Sequence, residues 1–232
     1  MLLRIRRLPA LGVLLLLTIG ASSAAAQASD PDRQPIGRFA ADVRGVSARY
    51  TDDPGLATFL DVTRENLASR GLGIVLGAHV YPLRMGRHLA FGVGGEVMFS
   101  RGSRTLKLAA DEEDDETLDG PTVTARLSAV SPQVSLNFGG RDGWSYLSGG
   151  IGWTKFSSDV KNETAATATS AEGTPRTSTI NYGGGGRWFM KKHVAFSFDV
   201  RFYAIRPQEG TATLPALARR RLLMLSAGVS FK

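Results

Sequence analysis

Apolar residues at every second position are the dominant pattern of this chain after its first thirty residues. Eight segments show the pattern, and a period of two is typical of a β-strand with one apolar face. The last segment keeps it to the chain end, where the apolar residues are Leu223, Leu225, Ala227, Val229 and Phe231. The other seven apolar sets run through 39–45, 72–80, 91–99, 134–138, 147–153, 180–188 and 196–202. Because a terminal strand of this kind needs a partner on both edges to avoid aggregation, the pattern predicts a closed barrel.

The connections between these strands alternate between two lengths. Three are short, at 82–88, 139–143 and 190–193, and four are long, at 51–69, 105–121, 158–176 and 207–218. The alternation is that of an up-and-down barrel with both termini on one side. Strands of roughly 12 to 16 residues exceed the ~9 to 11 that cross a bilayer at a tilt. We therefore predict an all-β fold, an eight-stranded antiparallel up-and-down transmembrane β-barrel, and expect a short helix or strand extensions from the first long loop.

The positions between the apolar ones should face the lumen, because the outer face of a membrane barrel must be apolar. Charged and polar residues occupy many of these positions. The candidates for an ionic network in the lumen are Asp42, Arg44, His79, Glu96, Arg187, Asp199 and Arg201. The interior of an eight-stranded barrel is only wide enough for side chains to fill it. We therefore expect these groups to pair with one another, with a conductive or ligand-lined lumen as the alternative.

One strand breaks its alternation near Pro132. The apolar set is Val123, Ala125, Leu127 and Ala129 before the proline, but it continues at 134–138 after it, so the parity changes. A β-bulge near Ser131 and Pro132 would absorb one extra residue and the missing N–H. Such a bulge would turn Arg126 and Ser128 toward the lumen, and we add Arg126 to the predicted network.

The first 28 residues have the layout of a secretory signal peptide: three arginines, an apolar run at 8–19 and then small residues. Cleavage after Ala26 or Ala28 is expected, which leaves 29–232 as the barrel domain and lowers the formal net charge from +7 to +4. A membrane anchor is the alternative, but the run is shorter than the ~20 apolar residues of a spanning helix. The sequence has no cysteine, so disulfides and thiolate metal sites are excluded.

The signal peptide, the strand count, the loop alternation and a last strand ending near Phe231 together resemble the eight-stranded outer-membrane barrels of the OmpA/OmpX type. The resemblance covers the whole mature length. It implies a bacterial outer-membrane location, in contact with outer-membrane lipid and lipopolysaccharide. It also implies that the barrel-assembly machinery reads the last strand, with Phe231 as the assembly signal, although Lys232 follows it.

Two charged segments are candidate binding sites. The acidic run 111–120 resembles the start of an EF-hand loop, but Arg126 stands at the twelfth position, where the motif needs a glutamate, so no metal site is predicted. A solvated loop and loose cation bridging to lipopolysaccharide are the alternatives there. Basic residues lie at both ends of the strands. Of these, we expect Arg219, Arg220 and Arg221 to face lipopolysaccharide, with general interface chemistry as the alternative.

Enzymatic chemistry has little support in the sequence. Outer-membrane lipid A deacylases and palmitoyltransferases resemble this scaffold and use a histidine with a serine and an acid. Here His88 and His193 fall at short turns, and His79 should be a hydrogen-bonded lumen residue. We predict no catalytic site, no cofactor and no nucleic-acid partner. The expected function is a structural or surface-interaction role, with an external ligand held by the long loops. A narrow pore and a lipid-modifying enzyme are the alternatives.

Overall fold

The computed structural model describes residues 35–51, 53–107, 119–161, 169–170, 176–210 and 216–232. The predicted signal peptide and most of the acidic run lie outside the described residues. The strands are β1 (Phe39–Arg49), β2 (Arg70–Met85), β3 (Leu89–Lys107), β4 (Asp119–Gly140), β5 (Gly143–Lys161), β6 (Thr169–Ser170), β7 (Thr177–Phe189), β8 (Val194–Ile205) and β9 (Arg220–Phe231). One short helix, α1 (Pro54–Phe59), and a 3₁₀ turn (Arg64–Asn66) lie between β1 and β2. No helix of the described residues is long and apolar enough to cross a membrane.

Eight of the strands form one closed antiparallel ring, and the two-residue β6 only extends the edge of β5. Each long strand pairs with the next long strand along the chain, and β1 closes the ring with β9. The seam runs from Ala41 opposite Phe231 to Arg49 opposite Leu223. The apolar last strand therefore has a partner on both edges, and the predicted eight-stranded barrel is confirmed.

The connections keep the predicted alternation of short and long. Two of the short turns shrink to 86–88 and 141–142, because the strands extend into the segments expected to be loops, and the third keeps its predicted bounds of 190–193. Gly86 has a φ of 69° in the first turn, a conformation that glycine adopts without the steric cost of a side chain. The long connections and the short turns therefore lie at opposite ends of the barrel.

Outside the first part of β4, the predicted faces agree with the structure. The odd-numbered residues of β1 and β9 point outward, and so do the even-numbered residues of β2 as far as Val80. Large apolar side chains stay exposed on this outer surface, among them Phe39, Leu76, Val93, Val134, Leu147, Ile151, Trp153, Ile180, Phe196, Phe198 and Leu225. An exposed apolar belt on a closed barrel is the surface that a bilayer requires.

The predicted bulge near Ser131 and Pro132 is wrong. β4 keeps one continuous register with β3 and with β5 through Pro132, so the parity of its side chains does not change. Val123, Ala125, Leu127 and Ala129 are buried inside the barrel. The irregularity lies instead in β2, where the register with β3 shifts between Val80 and Leu83.

The barrel interior is organised in layers along its axis. An aromatic layer closes the end with the short turns, and its buried residues are Ile36, Ala40, Tyr81, Ala90 and Trp144. The charged residues follow above it. Next comes an apolar layer of Val46, Ala48, Tyr50, Ala68, Val75, Met98, Ala125, Leu127, Ala129, Tyr203, Ile205, Leu222 and Met224. The outermost layer packs α1 and its flanking residues against the wall, through Leu56, Ala57, Leu60, Leu67, Val123 and Leu217.

Helix α1 lies in the outer mouth of the barrel. It is the short helix that the sequence predicts, as one of two alternatives, for the first long loop. Asp53 caps it by accepting hydrogen bonds from the backbone N–H groups of Gly55 at 2.9 Å and Leu56 at 3.2 Å. The same carboxylate accepts a hydrogen bond from Nε of Arg220 at 3.2 Å. This ion pair ties the helix to the first residue of β9.

Strands β3, β4 and β5 are much longer than the others. They contain 19, 22 and 19 residues, whereas about 9 to 11 are enough to cross a bilayer. Their ends at 102–107, 119–126 and 157–161 form a raised wall on the side of the long connections, which we call the outer wall. Its inner face packs on the outermost apolar layer through Val123 and Val160.

Val43 and Ser47 test which face of β1 meets lipid, because both point outward at different heights. Val43→Arg, near the middle of the strand, should lower the free energy of unfolding by about 2 to 4 kcal/mol, whereas Ser47→Arg, nearer the rim, should cost about 0 to 1 kcal/mol. Urea unfolding of barrels refolded in phospholipid vesicles measures both, with the gel mobility of unboiled samples reporting closure. Equal losses at the two positions would mean that the outward register is wrong.

Candidate functional site

The candidate site is the charged middle layer of the lumen. The structure brings together three carboxylates, Asp42, Glu96 and Asp199, and three guanidinium groups, which belong to Arg44, Arg187 and Arg201. All six residues are buried, with at most 5 % of their surface exposed. The acidic and basic charges balance, which is the condition under which buried charges can be tolerated.

The ion pair between Asp42 and Arg187 has the shortest N–O distance in the charged layer. Nε and Nη2 of Arg187 donate to the two carboxylate oxygens of Asp42 at 2.9 and 2.6 Å, a two-point contact between planar groups. Ser230 on β9 also donates to Asp42. The Arg187 guanidinium lies 4.4 Å from the ring centroid of Tyr146, so an aromatic face covers it. The pair thus joins β1, β7 and β9 across the seam.

The other four charges form one connected cluster around Asp199. Nη2 of Arg201 lies 3.0 Å from Oδ2 of Asp199, and Nη1 of Arg44 lies 3.4 Å from the same oxygen. Glu96, on the opposite wall, is 3.3 Å from both Arg44 and Arg201. The cluster therefore spans the lumen from β3 to β8 and leaves no guanidinium without a carboxylate.

Uncharged polar residues complete the network, and nothing in the sequence singles them out. Tyr146 donates its hydroxyl to Asp199 at 2.8 Å and accepts from Arg44 at 3.0 Å. Asn181 accepts from Arg201 at 2.9 Å, and Tyr203 donates to Glu96. Each of them alternates with outward apolar residues, so the period-two pattern could have placed them in the lumen, but not on a particular partner.

His79 lies in the lumen as expected, but it is not hydrogen-bonded. It is 6 % exposed, and neither ring nitrogen has a partner within the described part of the chain. The expectation of a hydrogen-bonded core histidine is therefore wrong. Its ring packs over Gly94, where a Cβ atom would lie 2.7 Å from the imidazole carbons. The histidine thus fills space beside the network without joining it.

Arg126 does not belong to the lumen network, and that prediction is wrong. Its side chain points outward, is 46 % exposed and pairs with Asp159 of β5, with Nη1 and Oδ2 2.7 Å apart. Ser128 also faces outward, because β4 keeps its parity. The physical reason is that this part of β4 belongs to the outer wall, where polar residues face outward and apolar residues fill the interior.

The basic trio at the start of β9 is divided between two environments. Arg219 and Arg221 are exposed, but Arg220 is buried in the outer mouth. Its guanidinium pairs with Asp53 and lies 4.9 Å from the ring centroid of Phe156. The expectation that Arg220 faces lipopolysaccharide is therefore wrong. For Arg219 and Arg221 it stays a prediction, as does the role of the exposed Phe231 in assembly.

The aromatic layer seals the inner end of the lumen. Trp144 stacks on Phe189, with ring centroids 4.9 Å apart, and Tyr81 meets Trp144 edge-on at 6.0 Å. Nζ of Lys232 lies 3.6 Å from the centroid of Phe189. Partial burial lowers the pKa of the Lys232 ammonium, and the nearby Arg141 acts in the same direction. Among the described residues, no cluster of histidine and carboxylate side chains could hold a metal ion.

Similar folds occur among solved structures. Neisserial surface protein A is 14 % identical, with a TM-score of 0.46, and the match covers 84 % of this chain and 96 % of that one. Ail, the attachment invasion locus protein of Yersinia pestis, is 10 % identical over 84 % of this chain and 98 % of its own, with a TM-score of 0.44. The outer membrane protein OprG from Pseudomonas aeruginosa is 12 % identical over 87 % and 98 %, also with a TM-score of 0.44.

No protein-family model matches the sequence, and no curated protein matches it. At identities of 10 to 14 % the similarity concerns the fold alone, and no residue role is transferred. The barrel's own geometry is decisive: eight antiparallel strands close a ring with an apolar outer belt. An even-numbered antiparallel ring of this kind is the architecture of bacterial outer-membrane proteins. The chain is an integral β-barrel of the bacterial outer membrane.

Asp199 allows the network's contribution to be measured. Asp199→Ala leaves Arg201 and Arg44 buried without this carboxylate, and we expect the free energy of unfolding to fall by about 3 to 5 kcal/mol. Asp159→Ala is the comparison variant: Asp159 is buried too, but the Arg126 side chain that it would leave is 46 % exposed and can be hydrated, so the loss should be about 0 to 1 kcal/mol. Urea unfolding in vesicles compares the two. Similar losses for both variants would show that the buried network contributes no more than an ion pair with one exposed partner.

Proposed function

We propose that the protein is a closed, non-catalytic barrel of the outer membrane, with a structural role and a surface that interacts with partners outside the cell. The observation that carries the proposal is the filled lumen, which is closed by four successive layers of buried side chains. Eight strands leave an interior that side chains can fill completely. This packing supports a scaffold more than a channel.

A narrow pore would need a continuous polar path through the barrel. The apolar layer interrupts such a path, because Val46, Leu127 and Met224 are buried in one packed cluster inside the barrel. An ion in contact with apolar side chains alone loses its hydration without compensation. Helix α1, held by Asp53 and Arg220, adds a second barrier in the mouth. These features weigh against the pore alternative.

A lipid-modifying enzyme would need a histidine coupled to a serine or an acid. Within the described residues, both ring nitrogens of His79 are without a partner, and Nδ1 of His88 is buried without one. Nδ1 of His193 meets the backbone oxygen of Lys232 at 2.9 Å. No histidine is thus arranged as the base of a catalytic triad in this part of the chain, which supports a non-catalytic role.

Interaction with external partners is assigned to the outer wall and the long connections. β3, β4 and β5 raise a paired sheet above the rest of the barrel, and hydroxyl groups of Thr105 and Thr122 meet across it at 3.0 Å. Loops on a rigid scaffold are frequent binding elements. In this proposal lipid surrounds the apolar belt, and the barrel-assembly machinery reads the last strand up to Phe231.

Planar-bilayer recordings test the closed lumen. The purified barrel should give no stable single-channel currents. Asp42→Ala combined with Arg187→Ala should also stay closed, because the apolar layer and α1 lie above the removed pair. A large wild-type current would make the pore the better assignment. A current in the double variant alone would mean that the charged layer is the only seal.

Epitope tags test the orientation. A tag inserted between β3 and β4 should bind antibody on intact cells, whereas a tag in the short turn at 86–88 should bind only after the outer membrane is permeabilised. Folding of both tagged proteins is checked by the gel mobility of unboiled samples. The opposite labelling pattern would place the outer wall on the periplasmic side of the outer membrane and contradict the proposal.

A further inference from the structure

A groove of about 950 Å³ runs along the outward side of the barrel wall, at the level where the outer wall begins. It crosses β2, β3, β4 and β5. Its lower part is apolar and exposed, with Leu72, Ile74 and Phe99 on the surface. Its upper part is lined by basic residues and small hydroxyl groups: Arg101, Arg126, Lys155, Ser128 and Ser157. The groove is therefore amphipathic along its length.

The strand register brings the three basic residues together. Arg101 on β3 lies directly opposite Arg126 on β4. Lys155 on β5 lies opposite Ser128, which is two residues from Arg126 on the same face. Neighbouring strands are about 4.7 to 4.9 Å apart, so all three cationic groups can reach one small anion. Like charges directly opposite each other destabilise a sheet unless an anion lies between them.

Within the part of the chain that the structure describes, only one carboxylate pairs with these three basic residues. Asp159 pairs with Arg126 at 2.7 Å. Within the described residues, neither Arg101 nor Lys155 has a carboxylate within ion-pair distance. Among the described residues, two positive charges are thus left without a carboxylate on the outward surface of the barrel, just above exposed apolar side chains. Charge complementarity and the apolar floor together fit a lipid with an anionic headgroup.

We infer that this groove binds the phosphorylated glycolipid headgroup of lipopolysaccharide, with an acyl chain along Leu72, Ile74 and Phe99. The inference rests on the proposed orientation, which places the groove at the outer leaflet. Arg101 and Lys155 contact a phosphate, while Ser128 and Ser157 meet sugar hydroxyls. A sugar headgroup, rather than a glycerophospholipid, suits a site that spreads its polar groups over three strands. The site thus lies on β3, β4 and β5, away from the trio at the start of β9.

Native mass spectrometry in zwitterionic micelles tests the site with purified lipid A that carries its phosphates. Wild-type protein should retain one lipid A, and Arg101→Ala combined with Lys155→Ala should weaken binding roughly tenfold or more, because two charge-assisted contacts are lost. The matched control is Arg176→Ala with Arg206→Ala, which removes two exposed arginines elsewhere on the outer end and should change affinity less than about twofold. Dephosphorylated lipid A should bind wild-type protein as weakly as phosphorylated lipid A binds the groove variant.

Three outcomes would overturn the inference. Equal weakening in the two double variants would mean general attraction to a basic rim. Phosphatidylglycerol that binds as tightly as lipid A would replace the glycolipid with any anionic lipid. Unchanged affinity in the groove variant would remove the site. Closure of the barrel, its conductance and its tag orientation are measured on the same proteins, so a failure of the groove alone stays distinct from a failure of the proposed function.

Discussion

Closure of the hydrogen-bonded ring is the constraint on which the rest of the structure depends. A bilayer offers no partner for backbone N–H and C=O groups, so a sheet can cross it only without free edges. The pairing of β1 with β9 removes the last edge. Once eight strands close, they enclose a narrow space that must be filled. Every polar residue turned inward then has to find its partner among the few side chains that the ring brings face to face.

The side chains that fill the lumen form a charged layer and an apolar layer, and these two layers have different packing requirements. The middle layer requires directional pairing, as in the two-point contact between Asp42 and Arg187. The layer above it requires only shape, and residues such as Leu127 and Met98 pack there as in a soluble core. The wide range of strand lengths explains why both kinds occur. The charged layer lies within the membrane-spanning part, whereas the outer wall rises above it and folds like a water-soluble sheet, with its apolar face inward.

Much of this fold could be predicted from the sequence, because a period of two assigns faces wherever lipid touches the strand. Val43 and Leu76 were placed outward, and Arg44 and Asp199 inward, on this basis alone. The same reasoning failed at Val123, Ala125, Leu127 and Ala129. Where a strand leaves the bilayer, the apolar face changes from outside to inside, and this imitates a bulge although the backbone continues regularly. The partners of the charged residues were also beyond reach, since Arg44 meets Tyr146 from a position 102 residues away.

The seam between the first and last strands also has a consequence for the order of events during synthesis and export. Asp42 lies near the start of the barrel, yet Ser230, one of its hydrogen-bond donors, is separated from it by 188 residues. Without β9 the ring would be open along one side, and the charged groups would be in contact with water. The pairing of β9 with β1 therefore closes the ring and also shields the charged network from water. Both effects depend on the twelve residues of β9.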